Sequence, residues 1–315
     1  MATYNPTDLI GAMKLETLRV HAPTSIVFLC GGAIDYKLDS PAVLRDAFYR
    51  MAGNNALPYK IVLAEEAKPL TNDAGYSDLL SFESDIARVV GLILLFAESA
   101  GSLAELGAFA ALDAVAPSLL AVLDDYYYSQ ESFIVQGPVR YLEKYHGEQA
   151  IHVLDRQEIG IDNQGGISGL IEANFAASMF PVVKGRLDAR LKWTKFDPVN
   201  SGHAILSIVG LCKEFGALTQ TEIRSYLTVF GVQTPRFDNW VYCAQLLGWL
   251  KRVRNGNHIF FVATEGEPAL DYKFKDDVLF KEKIRWRSDI REYWKVSDRA
   301  RFNAISKIAL GGEGA

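Results

Sequence analysis

Five short runs of continuous apolar, β-branched residues recur through the first half of the chain: TSIVFLC (24–30), YKIVLAE (59–65), VVGLILLF (89–96), SLLAVLD (118–124) and AIHVLD (150–155). Between them lie helix-compatible stretches. One of these, SPAVLRDAFYRMAG (40–53), offers Ser40 as an N-cap and Pro41 as the first helical residue. Strands that are apolar throughout and alternate with helices predict a parallel sheet covered on both faces. The expected fold is therefore α/β: a Rossmann-like (flavodoxin-like) parallel five-stranded sheet. Ligands of such sheets bind beyond the carboxyl ends of the strands. Three of these ends are chemically unusual: Cys30-Gly31-Gly32, Glu65-Glu66 and Phe96-Ala97-Glu98-Ser99.

The rhythm changes in the second half. A Gly- and Asn-containing connection, IGIDNQGGISG (159–169), leads through a mixed helix to the apolar helix AILSIVGLCKEFG (204–216). Thr219 then opens a second helix and Thr234-Pro235 a third. KRVRNGNHIFFVAT (251–264) reads as two short strands around Asn255-Gly256, a favoured hairpin dipeptide. Three helices and a hairpin form the winged helix-turn-helix order, which serves DNA readers and protein adaptors alike. The expected organisation is a sheet domain over 1–158, a helical connection over 159–200, a winged helix-turn-helix domain over 201–270 and a helical tail over 271–315. The tail interleaves Arg and Lys with Trp and Tyr. Its scattered Asp and Glu favour an amphipathic packing helix over a nucleic-acid surface.

Composition narrows the chemistry. A chain of 315 residues that is 49% hydrophobic and 23% charged has room for two domains and is not disordered. Its three cysteines (Cys30, Cys212, Cys243) lie far apart with no CxxC spacing, which reads as reduced thiols. The five histidines show no metal-ligand spacing, so no metal is expected. The opening residues lack a basic-then-apolar secretory pattern. The apolar stretch 89–123 is broken by Glu98, Glu105 and Asp113, too polar for a bilayer span. A cytoplasmic protein with no membrane partner is the expectation. Residues 250–315 carry 14 Lys/Arg against 10 Asp/Glu, whereas the rest carries 19 against 28. That asymmetry permits a nucleic-acid contact at the C-terminal end without requiring one.

The sharpest chemistry lies in FAESAGSLAELGAF (96–109), directly after the third apolar run. Ser102-x-x-Glu105 fits a capping box, with the glutamate reaching back to the N-cap amide. The same glutamate, in the first turn of a helix at the ligand-binding edge, is also placed as a nucleophile whose ionised form the helix dipole favours. Ala97, Ser99, Ala100, Gly101 and Ser102 are small enough for a substrate to approach the backbone. Gly31 and Gly32 allow either a close approach of ribose or phosphate or a simple tight turn. Cys30 heads that turn as a buried thiol with no local base. Upstream, Glu83 and Asp85 lie on a helix entering the same strand, two residues apart and so facing different directions.

Phe28-Leu29-Cys30-Gly31-Gly32, the block from Glu98 through Glu105-Leu106-Gly107 to Phe109, and Gly137-Pro138-Val139-Arg140 resemble the nucleoside deoxyribosyltransferase-like effectors of bacterial retron antiphage systems. The likeness covers the chain to about residue 155. Beyond it only the architecture matches, since such effectors carry a C-terminal winged-helix domain. The resemblance implies an N-glycosidic-bond enzyme in which Glu105 attacks the anomeric carbon and Asp85 or Glu83 helps hold the sugar. Cys30, Gly31, Gly32, Glu98, Ser99, Gly101 and Ser102 would line the substrate. Related effectors are implicated in cleaving NAD to nicotinamide and ADP-ribose while assembled with a reverse transcriptase and its RNA-linked DNA. The resemblance thus implies NAD or a nucleotide as substrate, no cofactor, and a homo-oligomer or higher assembly. Two departures stand out: Ala100 replaces a usual proline, and Glu98 stands where authentic transferases commonly use aspartate, which points away from a free-nucleoside substrate. The alternatives are a nucleoside deoxyribosyltransferase or nucleotide N-glycosidase, and a non-catalytic nucleotide-sensing regulator that binds DNA.

Overall fold

The structure, a computed structural model, describes residues 6–54, 57–68, 70, 74–264, 266–276 and 282–310. The chain divides into two compact units, one holding 25–68 and 78–190, the other gathering 1–24, 69–77 and 191–315. It opens in the second unit with α1 (Pro6–Ala12) and β1 (Met13–Val20). The sheet unit then runs β2 (Ile26–Cys30), α2 (Leu44–Gly53), β3 (Lys60–Leu63), α3 (Leu79–Ala87), β4 (Leu92–Phe96), α4 (Ala100–Ala111) and β5 (Leu119–Asp124). It finishes with α5 (Asp125–Tyr128), α6 (Arg140–His146), β6 (Ile151–Leu154), α7 (Arg156–Ile159) and α8 (Glu172–Asp188).

All five expected strands form, and they pair in parallel in the order β3-β2-β4-β5-β6. Every residue of β2 and β4 is buried, as continuous apolar runs require when both faces are covered. On one face Leu29, Leu94, Phe96 and Val122 pack with Phe48 of α2 and with Phe175, Met179 and Val183 of α8. On the other, Phe28 meets Phe82 of α3 edge to face. The helix α8 is why the sheet unit runs on to residue 190, past the boundary expected at 158. The order reverses at β2 and β4, whose connections leave in opposite directions. Beyond their carboxyl ends lies the crevice of a doubly wound sheet.

One expected start is wrong. Ser40-Pro41 does not open α2, which begins at Leu44 behind Val43, a residue with no side-chain cap. The acceptor for its free amides comes from elsewhere in the sheet unit, as described below.

The second unit adds β7 (Thr194–Lys195), α9 (Ser201–Phe215), α10 (Gln220–Val229), α11 (Phe237–Leu246), β8 (Leu250–Asn255), β9 (His258–Ala263), β10 (Leu270–Phe274), α12 (Lys283–Ser297) and α13 (Arg299–Leu310). Here β1 lies between β10 and β7, antiparallel to both, so the N-terminal residues expected in the sheet domain fold with the C-terminal half. Three helices and a two-stranded hairpin occur in the expected sequence. Thr219 and Glu222 close the start of α10 with a reciprocal capping box. In the hairpin Asn255 pairs with His258, so the loop is Gly256-Asn257, one residue later than expected, with Gly256 at φ +61. The tail is a packing element. Trp286, Ile290 and Trp294 are buried, Trp294 Nε1 donates to Phe215 O at 2.8 Å, and Arg287 pairs with the buried Glu214.

Two glycines test this packing. A Cβ on Gly210 of α9 would fall 2.2 Å from Cγ of the buried Leu270, whereas one on Gly185 of α8 meets nothing within 4 Å. Gly210→Ala is expected to lose about 1–3 kcal/mol of stability by overpacking. Gly185→Ala should gain up to about 1 kcal/mol of helix propensity. Thermal melts of the two variants should move in opposite directions from the wild type.

Candidate active site

Beyond β4 the chain turns into α4 through Ala97, Glu98 and Ser99. Ser99 is the N-cap: its Oγ accepts from Ser102 N at 3.1 Å, and Ser102 Oγ accepts from Ser99 N at 2.8 Å and Glu98 N at 3.0 Å. The capping box is thus Ser99–Ser102, not Ser102–Glu105. Glu105 sits six residues into the helix, in its second turn rather than its first, and caps nothing. The helix dipole acts mainly within the first turn, so it is not what governs this carboxyl. Burial pushes Glu105 above the ordinary carboxylate range, with Arg45 drawing it down and Glu65 pushing it up. Its Oε2 is buried with no hydrogen-bond partner.

Glu98 has a different employment. Its Oε2 accepts from Leu44 N at 2.7 Å and its Oε1 from Arg45 N at 3.0 Å. The carboxylate at the end of β4 therefore supplies the cap that α2 lacks, satisfying two of the amides that every helix start leaves free. Burial pushes Glu98 upward while these amides and Gly32 oppose the shift. The glycine pair is explained by the same crowding. Gly31 has φ +140, and a Cβ there would meet Phe96 O at 2.9 Å. A Cβ on Gly32 would meet Glu98 Oε1 at 3.1 Å.

Arg45, which sequence reasoning missed, is buried beneath this loop. Its Nη1 donates to Gly32 O at 3.0 Å, its Nη2 to Leu29 O at 2.8 Å, and Nη2 also pairs with Glu65. No signal in the sequence marked it: from the expected start at Pro41, Arg45 falls in the second turn, and only the observed start at Leu44 puts it in the first, where a cation opposes the dipole. Glu83 of α3 joins the cluster. Burial, and then the charge of Glu105, raise it to about 7. Cys30, fully buried at the end of β2, is held well above the usual thiol range by burial first and by Glu105 and Glu83 next. Its thiol is neutral and no nucleophile.

The structure thus brings Glu105, Glu83 and Cys30 together with Arg45 and Glu65 at the ends of β2, β3 and β4. It spends the hydroxyls of Ser99 and Ser102 on each other and the carboxylate of Glu98 on α2. Gly101 lies on the exposed first turn of α4, and Asp85 is buried in α3. At the ends of β5 and β6, Asp124 caps α5 and pairs with Arg156, whose guanidinium lies 4.5 Å from the Tyr126 ring centroid. A cavity of about 570 Å³ flanks the outer side of α4, lined by Gly107, Ala110, Phe133, Pro138 and Tyr141, and none of the carboxylates lines it.

In the second unit, β8 carries exposed Lys251, Arg252 and Arg254, and none of them has an ion-pair partner among the described residues. The third helix of the trio, α11, is engaged by the segment 74–77. Asn239 Nδ2 donates to Ala74 O at 3.0 Å, and the Tyr76 hydroxyl lies 3.0 Å from Cys243 Sγ. Among the described residues no helix is long and apolar enough to cross a membrane.

A family model, that of the STM3845 retron effector protein, matches residues 41–252, more than half of the chain. A retron Ec86 protein of Escherichia coli, whose name includes the words ribosyltransferase/DNA-binding protein, is 40% identical over 77 residues. That alignment spans 24% of this chain and 25% of the relative.

The elevated Glu83 has a consequence for stability. Between its ordinary value of 4.5 and its folded value of about 7, the folded chain holds a proton that the unfolded chain has released. Stability from this group is complete below 4.5 and is lost as pH rises through about 7, on the order of 3 kcal/mol in all. Glu83→Gln, which stays neutral, should be more stable than wild type at pH 8 and lose that advantage by pH 4.5. Denaturant melts at the two pH values read the difference directly.

Proposed function

The chain belongs to the STM3845 retron effector family, and we propose that it is an antiphage toxin that hydrolyses the N-glycosidic bond of NAD to nicotinamide and ADP-ribose. The observation that carries this reading is the Glu105 carboxylate. It lies at the switch-point edge of the sheet, its helix start is capped by others, and one of its oxygens is buried without a partner. An unsatisfied buried acceptor costs about 1–3 kcal/mol, a cost that a ligand donating to it would recover.

The chemistry balances with this one carboxylate. Glu105 attacks C1′ of the nicotinamide-bearing ribose, or stabilises the oxocarbenium-like centre formed there. The C1′–N bond breaks and its electron pair leaves with the nicotinamide nitrogen, discharging the positive charge that NAD already carries. Water then adds at C1′, releases Glu105 and gives up a proton. Glu83 on α3, raised to about 7 by burial and then by the Glu105 charge, is the carboxyl we assign as assistant.

Glu83 also favours a second reading. A neutral base leaving a nucleoside or nucleotide needs a proton, and a carboxyl near 7 supplies one. On that reading the chain is a nucleoside deoxyribosyltransferase or nucleotide N-glycosidase. A supplied free purine would then exchange into product.

For the second unit we infer a winged helix that docks the effector on its regulatory partner, a reverse transcriptase with RNA-linked DNA, in a cytoplasmic higher assembly. The α11 surface engaged by Tyr76 leaves the hairpin cations Lys251, Arg252 and Arg254 as the natural phosphate contacts.

Purified protein incubated with NAD, with and without its nucleoprotein partner, is expected to release nicotinamide in at least one state. Glu105→Gln should lower the rate at least about a hundredfold while keeping its folded spectrum. Base exchange without NAD cleavage would favour the second reading. Neutralising Lys251, Arg252 and Arg254 together should weaken nucleic-acid binding. It should also flatten the log K against log salt slope by about 2–3, and an unchanged slope would move the contact elsewhere.

A further inference from the structure

The cavity on the outer side of α4 has a consistent chemistry of its own. Its volume of about 570 Å³ lies in the range of small-molecule sites. One wall is α6, where Arg140 and Lys144 stand one turn apart, with Tyr141 and Tyr145 one turn apart beside them. Positions four apart share a face of a helix, so a row of cations runs alongside a row of aromatic rings. The two tyrosine rings are 4.6 Å apart between centroids, and they are 42% and 59% exposed. Lys144 Nζ lies 4.9 Å from the Tyr145 centroid, and neither cation has an ion-pair partner among the described residues. Among those residues no Asp or Glu lines the cavity. Glu143, the one acid of α6, accepts instead from the Tyr128 hydroxyl at 2.8 Å.

The rest of the lining keeps this space open. Phe133 is exposed, and the tip of its ring rests 3.4 Å from where a Cβ on Gly137 would stand. Between them and α6 the segment Val135–Val139 forms a π-helical turn with Pro138 inside it, a wide turn that recurs at functional sites. The α4 side of the cavity contains Gly107 in mid-helix. Glycine there weakens a helix relative to alanine, and a Cβ on it would meet nothing within 4 Å. Packing among the described residues does not call for a glycine at this position; its effect is to leave the cavity clear.

Two unpaired cations beside flat, exposed rings, with no acid among them, match a ligand that joins an anion to a planar ring. We propose that the cavity binds a nucleotide, its base stacked on Tyr141 and Tyr145 and its phosphate held by Arg140 and Lys144. Arginine offers a phosphate a two-pronged contact and lysine a point charge, and every base has a face to stack. A nucleic-acid strand would need cations tracking a longer groove, whereas both cations here stand at one cavity. The site shares no lining residue with the carboxylate cluster, and the proposal does not depend on the bond that Glu105 breaks.

Calorimetric titration of the full chain with AMP, adenosine and ribose 5-phosphate tests the proposal. AMP should bind at least about tenfold more tightly than either fragment. Replacing both cations, Arg140→Gln with Lys144→Gln, should bring AMP down to the affinity of adenosine. Replacing both rings, Tyr141→Ala with Tyr145→Ala, should weaken AMP at least about fivefold. Gly107→Leu fills the cavity from a position where a side chain has room, so it should abolish binding while the thermal melt stays cooperative. Glu105→Gln should leave AMP affinity unchanged.

AMP binding that survives Gly107→Leu and disappears in Glu105→Gln would assign the nucleotide to the carboxylate cluster and overturn the proposal. Absence of AMP binding in the wild type would overturn it too. If self-association that Gly107→Leu abolishes were found in its place, the face would be a contact between copies of the chain. Nicotinamide release from NAD is read separately, so this site and the NAD reading can each fail alone.

Discussion

Two hydrogen bonds from the backbone of Leu44 and Arg45 to the carboxylate of Glu98 fix the edge of the sheet on which the site depends. They close α2 from the end of β4, across 53 and 54 residues of chain, where the local sequence supplies no cap. An ionised acceptor on helix amides is among the stronger hydrogen bonds available to a protein. It sets the start of α2, and with it the path of the Arg45 side chain beneath Gly31 and Gly32. It also accounts for the glycine pair, since any Cβ there would strike Phe96, Arg45 or Glu98.

The same economy at the start of α4 releases Glu105. Two serines three residues apart satisfy one another and the neighbouring amides, so the helix makes no demand on the glutamate that follows. What remains is a half-buried carboxylate among Arg45, Glu65 and Glu83, with an oxygen that no protein group satisfies. A single buried cation offsets part of the desolvation that would otherwise neutralise it. Membership of a retron effector family gives this arrangement a biological setting.

Much of this was legible in the sequence, for a physical reason. Strands buried on both faces must be apolar at every position, so the inner strands β2 and β4 announce themselves as unbroken runs, while Lys60 and His152 interrupt the edge strands β3 and β6. The Thr219 start of α10 was legible because the cap is local, with Glu222 three residues on completing it. What could not be read was decided at a distance. Ser40-Pro41 looks like a helix start, yet Glu98 brings a better acceptor from another strand. Ser102-x-x-Glu105 looks like a capping box, yet Ser99 stands one turn earlier and takes the role. The strand β1 pairs with β10, more than two hundred residues away, and nothing in its own pattern names that partner. Arg45 was hidden because a lone arginine in an amphipathic helix resembles any solvated charge until the carbonyls of Leu29 and Gly32 are placed around it.

The most direct test of the central claim is to locate the bond that Glu105 is held to form. Acid quenching of the protein during turnover of NAD, followed by peptide mapping, reads the site of any ribosyl ester. The account predicts a label confined to the peptide bearing Glu105 and absent from Glu105→Gln. A label on the peptide of Glu83 or Glu65, or one that persists in Glu105→Gln, would contradict it.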